Sequence, residues 1–140
     1  MIIDIGTIDP EILLRLVIAA VAGGLIGFER KKVNKPAGIR TLMIVGMGAA
    51  LFTVVSITAF ANADPARIAA GIVTGIGFLG AGTIFRSKDT VTGLTTAASM
   101  WAVGAIGLAA GLGEYVLVTA ATILVVLILQ LNKIKFLREL

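Results

Sequence analysis

The sequence predicts an all-α fold: a polytopic membrane bundle of about five transmembrane helices in a single domain covering residues 1–140. Three observations predict it. Hydrophobic residues make up 58% of the 140, charged residues only 14%, and mean hydropathy is +1.04, which is not the composition of a soluble domain. Five apolar stretches each come close to the roughly 20 residues a helix needs to cross a bilayer. The Lys and Arg residues fall mainly in the connections between those stretches.

The stretches can be justified in order. Asp9-Pro10 starts the first, since Asp caps a helix and Pro suits its first position. That span covers about 11–28 and carries Gly23-x-x-x-Gly27, a spacing that lets helices approach closely. Arg15 lies four residues after Glu11 on one helix face, where it can pair with that carboxylate or snorkel. The segment 29–41 holds five basic residues, and Pro36 with Gly38 interrupts the helix before a second span at about 39–61. Asp64-Pro65 repeats the capping pattern ahead of a third span, about 66–85, with Arg67 just inside it. A polar turn at 86–93 leads to a fourth span at 94–112, with small residues at Gly104, Gly107 and Gly111. Gly113-Glu114 turns the chain into a fifth span, about 115–131, which lacks glycine and reads as the lipid-facing helix.

The third span carries Gly71, Gly75, Gly77, Gly80 and Gly82. Glycine costs helix propensity, so five in one apolar span predict close packing against that backbone and make this the central helix of the bundle. A second reading is a broken helix whose exposed backbone lines an ion or substrate site.

Orientation follows from charge. With five spans, the 29–40 segment, the 86–92 segment and the C-terminus share one side, and ten of the 12 Lys and Arg residues lie there. The positive-inside rule makes that side cytoplasmic and places the N-terminus outside, with Asp4, Asp9, Asp64 and Glu114. Trp101 falls in mid-span and reads as a packing residue. Met1 to Pro10 has no basic residue, so it lacks the positive region of a cleavable signal peptide, and the first span is expected to stay in the mature chain.

Several function classes are disfavoured. There is no Cys and no His, which removes thiolate and imidazole metal sites and the familiar nucleophilic triads. No nucleophile and base pair is visible, so no catalytic residue, enzyme activity or cofactor is expected. Gly75-Ile-Gly77-Phe-Leu-Gly80 satisfies the dinucleotide fingerprint but sits inside an apolar span, without the strand and acidic residue that motif requires. The net charge of +4 is explained by topology, and no nucleic acid is expected. Thr53, Ser56, Thr74, Thr83 and Ser99 are the mid-span polar candidates, read as helix-to-helix hydrogen bonds. The absence of a mid-span ionisable residue disfavours a pump or proton-coupled carrier.

The candidate functional residues gather at the basic face. Glu29, Arg30, Arg40 and Thr41 flank the first hairpin, and Arg86, Asp89, Thr95 and Thr96 the second. Guanidinium forks pair with carboxylates, so a network of Glu29 and Asp89 with Arg30, Arg40 and Arg86 is expected. Glu29 and Asp89 are also the candidates for a magnesium site, which would need oxygen ligands. At the other face, Asp64 and Arg67 would form the mouth of any ion path.

Four blocks then carry a family resemblance: Gly23-Gly-Leu-Ile-Gly27-Phe-Glu29-Arg30; Ala37-Gly38-Ile-Arg40-Thr41-Leu; the run from Asp64 through Gly75, Gly77, Gly80 and Gly82 to Arg86; and Val91-Thr-Gly93-Leu-Thr95-Thr96-Ala97-Ala98-Ser99-Met-Trp101. Together they resemble the MgtC/SapB family of membrane proteins in collinear order over roughly residues 12–130. The resemblance implies an inner-membrane protein tied to adaptation to low magnesium, with a regulatory role. It also implies contact with the F-type ATP synthase and effects on membrane potential and phosphate uptake. The best-known members carry a soluble C-terminal domain, so this chain is expected to represent a short, membrane-only form. Small-residue faces on spans one, three and four suggest a homodimer. The alternative to the regulatory reading is a channel or transporter for a small ion, Mg²⁺, another cation or phosphate, using the third helix.

Overall fold

The computed structural model describes residues 9–59 and 64–131. Five helices follow in order: α1 (Pro10–Lys32), α2 (Ile39–Ala59), α3 (Pro65–Ala81), α4 (Leu94–Leu112) and α5 (Tyr115–Gln130). Asp4 and the basic tail at 132–140 lie outside the described residues. α1, α2 and α4 are long and apolar enough to cross a membrane, while α3 and α5 are apolar helices of 17 and 16 residues.

Local chemistry sets the helix ends. Asp9 and Asp64 each accept a hydrogen bond from the backbone N–H two residues on, at 2.9 Å, and Pro10 and Pro65 follow them at the first helical position. α4 ends in a Schellman turn: Gly113, at φ 84°, donates to the Ala110 carbonyl and Glu114 donates to that of Ala109. α3 stops at Ala81, four residues short of the expected span. Beyond it the chain forms a small antiparallel hairpin, β1 (Phe85–Ser87) and β2 (Thr90–Thr92), in place of the simple turn expected there. Lys88 takes a positive φ of 45° at its tip. Gly93 then enters α4 at φ 89°, and a Cβ there would stand 1.8 Å from the Thr83 carbonyl oxygen.

The core corrects the expectation of a central third helix. α4 is the central element, with 56% of its span buried, and it packs against each of the other four helices. The reason is where backbone meets backbone. A Cβ on Gly107 would come within 2.3 Å of the Gly46 carbonyl oxygen, and one on Gly111 within 2.7 Å of that of Ala50, so α2 and α4 touch through bare backbone. Gly23 and Gly27 bring α1 equally close to the start of α2, near Leu42 and Ile39. Ala19, Ile26, Leu42, Ala50 and Val103 fill the space between the three helices.

By contrast, α3 buries only Ile72, Ile76 and Gly80. Gly80 packs on Ala97 of α4, but a Cβ on Gly71, Gly75 or Gly77 would meet nothing within 4 Å. The close-packing expectation therefore fails for those three glycines. The helix also runs unbroken through them, which removes the broken-helix expectation. α5 packs on α1 and α4 through buried Val118 and Thr122 and half-buried Ala121, Val125, Val126 and Leu129, and exposes Val116, Leu117, Ile123, Leu124, Leu127 and Ile128 as a lipid-facing helix must. Trp101 is 53% exposed rather than packed, so it too belongs to the lipid-facing surface.

Candidate functional site

Two polar clusters close the bundle, one at each end. At the basic end, Glu29 and Arg30 occupy the last turn of α1 and are both buried. Arg30 Nη2 donates to Thr96 Oγ1 at 2.9 Å, joining α1 to the first turn of α4. Glu29 acts on Arg30 electrostatically. Burying a guanidinium is costly unless charge and hydrogen bonds compensate it; here Thr96 and the Glu29 charge supply part of that compensation, while the buried Arg30 Nε has no hydrogen-bond partner among the described residues. Arg30 and Thr96 are brought together because the α1–α2 contact at Gly23 and Gly27 and the α2–α4 contact at Gly107 align the three helix ends.

The remainder of the expected network differs. Arg40, Thr41, Arg86, Asp89 and Thr95 are exposed, and Arg86 and Asp89 lie on the β1–β2 hairpin and its tip. The guanidinium fork of Arg30 meets a hydroxyl where the sequence suggested a carboxylate. The two carboxylates expected for a magnesium site, Glu29 and Asp89, differ in setting. One carboxylate is buried and the other stands at an exposed hairpin tip, and among the described residues no group of three or more acidic side chains could hold a metal ion.

The cluster at the opposite end was only half visible in sequence. Arg15 Nε pairs with Glu11 Oε1 at 3.2 Å, as the four-residue spacing suggests, but Arg15 Nη1 also donates to the Gly111 carbonyl at 2.9 Å. The guanidinium thus satisfies a carbonyl in the last turn of α4, where helix polarity favours a cation. Tyr115 at the start of α5 donates its hydroxyl to Glu11. One ion pair therefore ties α1, α4 and α5 together. The signal available in sequence was the shared end of the bundle, since Glu11, Gly111 and Tyr115 all lie near the same membrane face.

Between the ends, the side-chain hydroxyls turn inward on their own helices. Thr53, Thr74 and Ser99 each bond the carbonyl four residues earlier, at 2.8, 2.9 and 2.7 Å, and Thr83 bonds that of Gly80 at 2.8 Å. Those of Thr53, Thr74 and Ser99 are intrahelical and that of Thr83 closes the turn after α3, in place of the helix-to-helix bonds expected.

Asp64 and Arg67 are exposed at the start of α3. Arg67 lines a groove of about 690 Å³ between α2 and α3 that is otherwise apolar, with Gly48, Phe52, Gly71 and Gly75 among its walls. Gly48 was not singled out in sequence.

A buried arginine at one end, a three-helix ion pair at the other and a glycine-packed core are features of a membrane bundle; the arginine and the core lie within the segment that known sequences share, and the Glu11–Arg15 pair just precedes it. The profile of the MgtC family matches residues 16–135. The chain belongs to the MgtC family. It is 44% identical over 128 residues to YhiD of Escherichia coli (strain K12), named as a candidate magnesium transporter, covering 86% of this chain and 60% of that protein. It is 44% identical over 117 residues to protein SapB of Bacillus subtilis (strain 168), with 77% and 50% covered. To protein MgtC of Salmonella typhimurium it is 47% identical over 113 residues, with 81% and 48% covered. This MgtC-family chain thus spans about half to three fifths of the length of these relatives. No solved structure matches it.

Proposed function

We propose that this MgtC-family protein is a magnesium-related regulator of the bacterial inner membrane, acting through contacts with other membrane proteins rather than as an ion pathway. The observation that supports this reading most is where charge lies. In the described helices every charged side chain sits within the first two turns or the last turn, and the two end clusters, one buried and one partly exposed, use their charges to fasten helices together. An ion path needs ligands or water through the midplane. Here the midplane between α1, α2 and α4 is occupied by backbone-to-backbone contact at Gly46 and Gly107 and by apolar side chains. Membership in a family with a magnesium-named relative supports the link to magnesium, and the F-type ATP synthase is the first partner to test on the family resemblance.

Reconstitution tests the reading. Proteoliposomes holding this protein alone are expected to pass Mg²⁺, K⁺, H⁺ and phosphate no faster than protein-free vesicles. Site-specific photocrosslinking from α5 or α3 in magnesium-limited cells is expected to capture ATP synthase subunits. Flux of any of these ions, lost in a folded Gly80→Leu variant, would replace the regulatory reading with a transporter.

A further inference from the structure

The groove between α2 and α3 has dimensions that select its occupant. Its walls on α3 run from Arg67 to Leu79, twelve residues on, or about 18 Å of helix. Half of a bilayer's hydrocarbon core is about 15 Å, so the groove is one leaflet deep. Over that length the groove is narrow, elongated and almost wholly apolar, a shape that accommodates a hydrocarbon chain.

Charge is placed at one end only. Among the described residues Arg67 is the one charged residue lining the groove, and it stands in the first turn of α3, at headgroup depth for a helix that begins at the membrane surface. Asp64 is close in sequence, but it does not line the groove, and its Oδ1 accepts the Ala66 N–H as the cap of α3. Below Arg67 the walls are apolar, and the channel stays open because Gly48, Gly71 and Gly75 add no side chain to it.

We infer that the α2–α3 groove is a binding site for one anionic glycerophospholipid, its phosphate on Arg67 and an acyl chain along Gly71 and Gly75. The site explains glycines that make no helix contact. It stands independently of the regulatory reading, because it requires no protein partner and no magnesium.

Native mass spectrometry of the detergent-purified, delipidated full chain tests it, with phosphatidylglycerol and phosphatidylcholine of matched acyl chains as the probes. The wild type is expected to hold one phosphatidylglycerol in preference to phosphatidylcholine. Arg67→Gln is expected to reduce that preference by about fivefold, the worth of one cation at an anionic lipid surface, while retaining lipid. Gly75→Leu is expected to lose both lipids while keeping wild-type helix content and melting temperature, since its Cβ enters open space. Equal retention of the two lipids by the wild type, or undiminished lipid on folded Gly75→Leu, would overturn the site. A protein dimer that Gly75→Leu converts to monomer, with lipid binding unchanged, would assign the groove to a second copy of the chain instead.

Discussion

Arg30 and Thr96 lie 66 residues apart in the chain, yet Arg30 Nη2 donates to Thr96 Oγ1 at 2.9 Å with both side chains buried. The contact locks the exit of α1 to the entry of α4, the central helix. Hydrogen bonds to charged groups contribute more than neutral ones, and removing one partner leaves a buried donor unsatisfied. Thr96→Val is therefore expected to destabilise the bundle by about 2 kcal/mol in detergent unfolding. Arg30→Met combined with it should cost less than the sum of the two single changes. Strict additivity would show that the bond does not couple the helices.

At the other end, Arg15 serves three helices through Glu11, Gly111 and, by way of Glu11, Tyr115. Arg15→Leu is expected to lower the unfolding midpoint more than Tyr115→Phe, which removes one link, and far more than Lys31→Leu, whose side chain is exposed. Hydrogen exchange should localise the Arg15→Leu effect to the last turn of α4 and the start of α5. Uniform loss of protection across all helices would contradict the localised role.

The glycines separate into two classes that one substitution type distinguishes. Gly107→Ala would place a Cβ 2.3 Å from the Gly46 carbonyl, and Gly93→Ala combines a left-handed backbone with a 1.8 Å approach to the Thr83 carbonyl. Both are expected to cost about 3 kcal/mol or more, or to prevent assembly. Gly71→Ala and Gly77→Ala are expected to stay within about 0.5 kcal/mol of the wild type. Measured melting temperatures that failed to separate the pairs would refute the packing described.

The exposed charges offer a test of function apart from stability. Arg40→Gln, Arg86→Gln and Asp89→Asn alter the basic face without touching the core. Each should leave thermal stability within about 0.5 kcal/mol of wild type. If growth under magnesium limitation depends on this protein and one of these variants loses it while folded, that residue belongs to a contact surface. Retained growth for all three would assign the basic face to topology alone.

What the sequence by itself determined was the kind of molecule and its local punctuation. Composition identifies the membrane, and apolar length places five helices. The Asp-Pro pairs at 9–10 and 64–65 cap the helices that follow, and Gly113 ends α4, because caps and turns depend on a few neighbouring residues. The spacing of Glu11 and Arg15 likewise revealed their pair. Which helix is central was decided only by the tertiary structure. Glycine count favoured α3, but a glycine face records only that backbone is exposed, not whether protein, lipid or nothing lies against it. Gly46, Gly107 and Gly111 meet opposing backbone, whereas Gly71 and Gly75 border an open groove. The partners of Arg30 and Tyr115 were hidden for the same reason: each joins elements distant in the chain, and their meeting depends on how the helices align along the membrane normal.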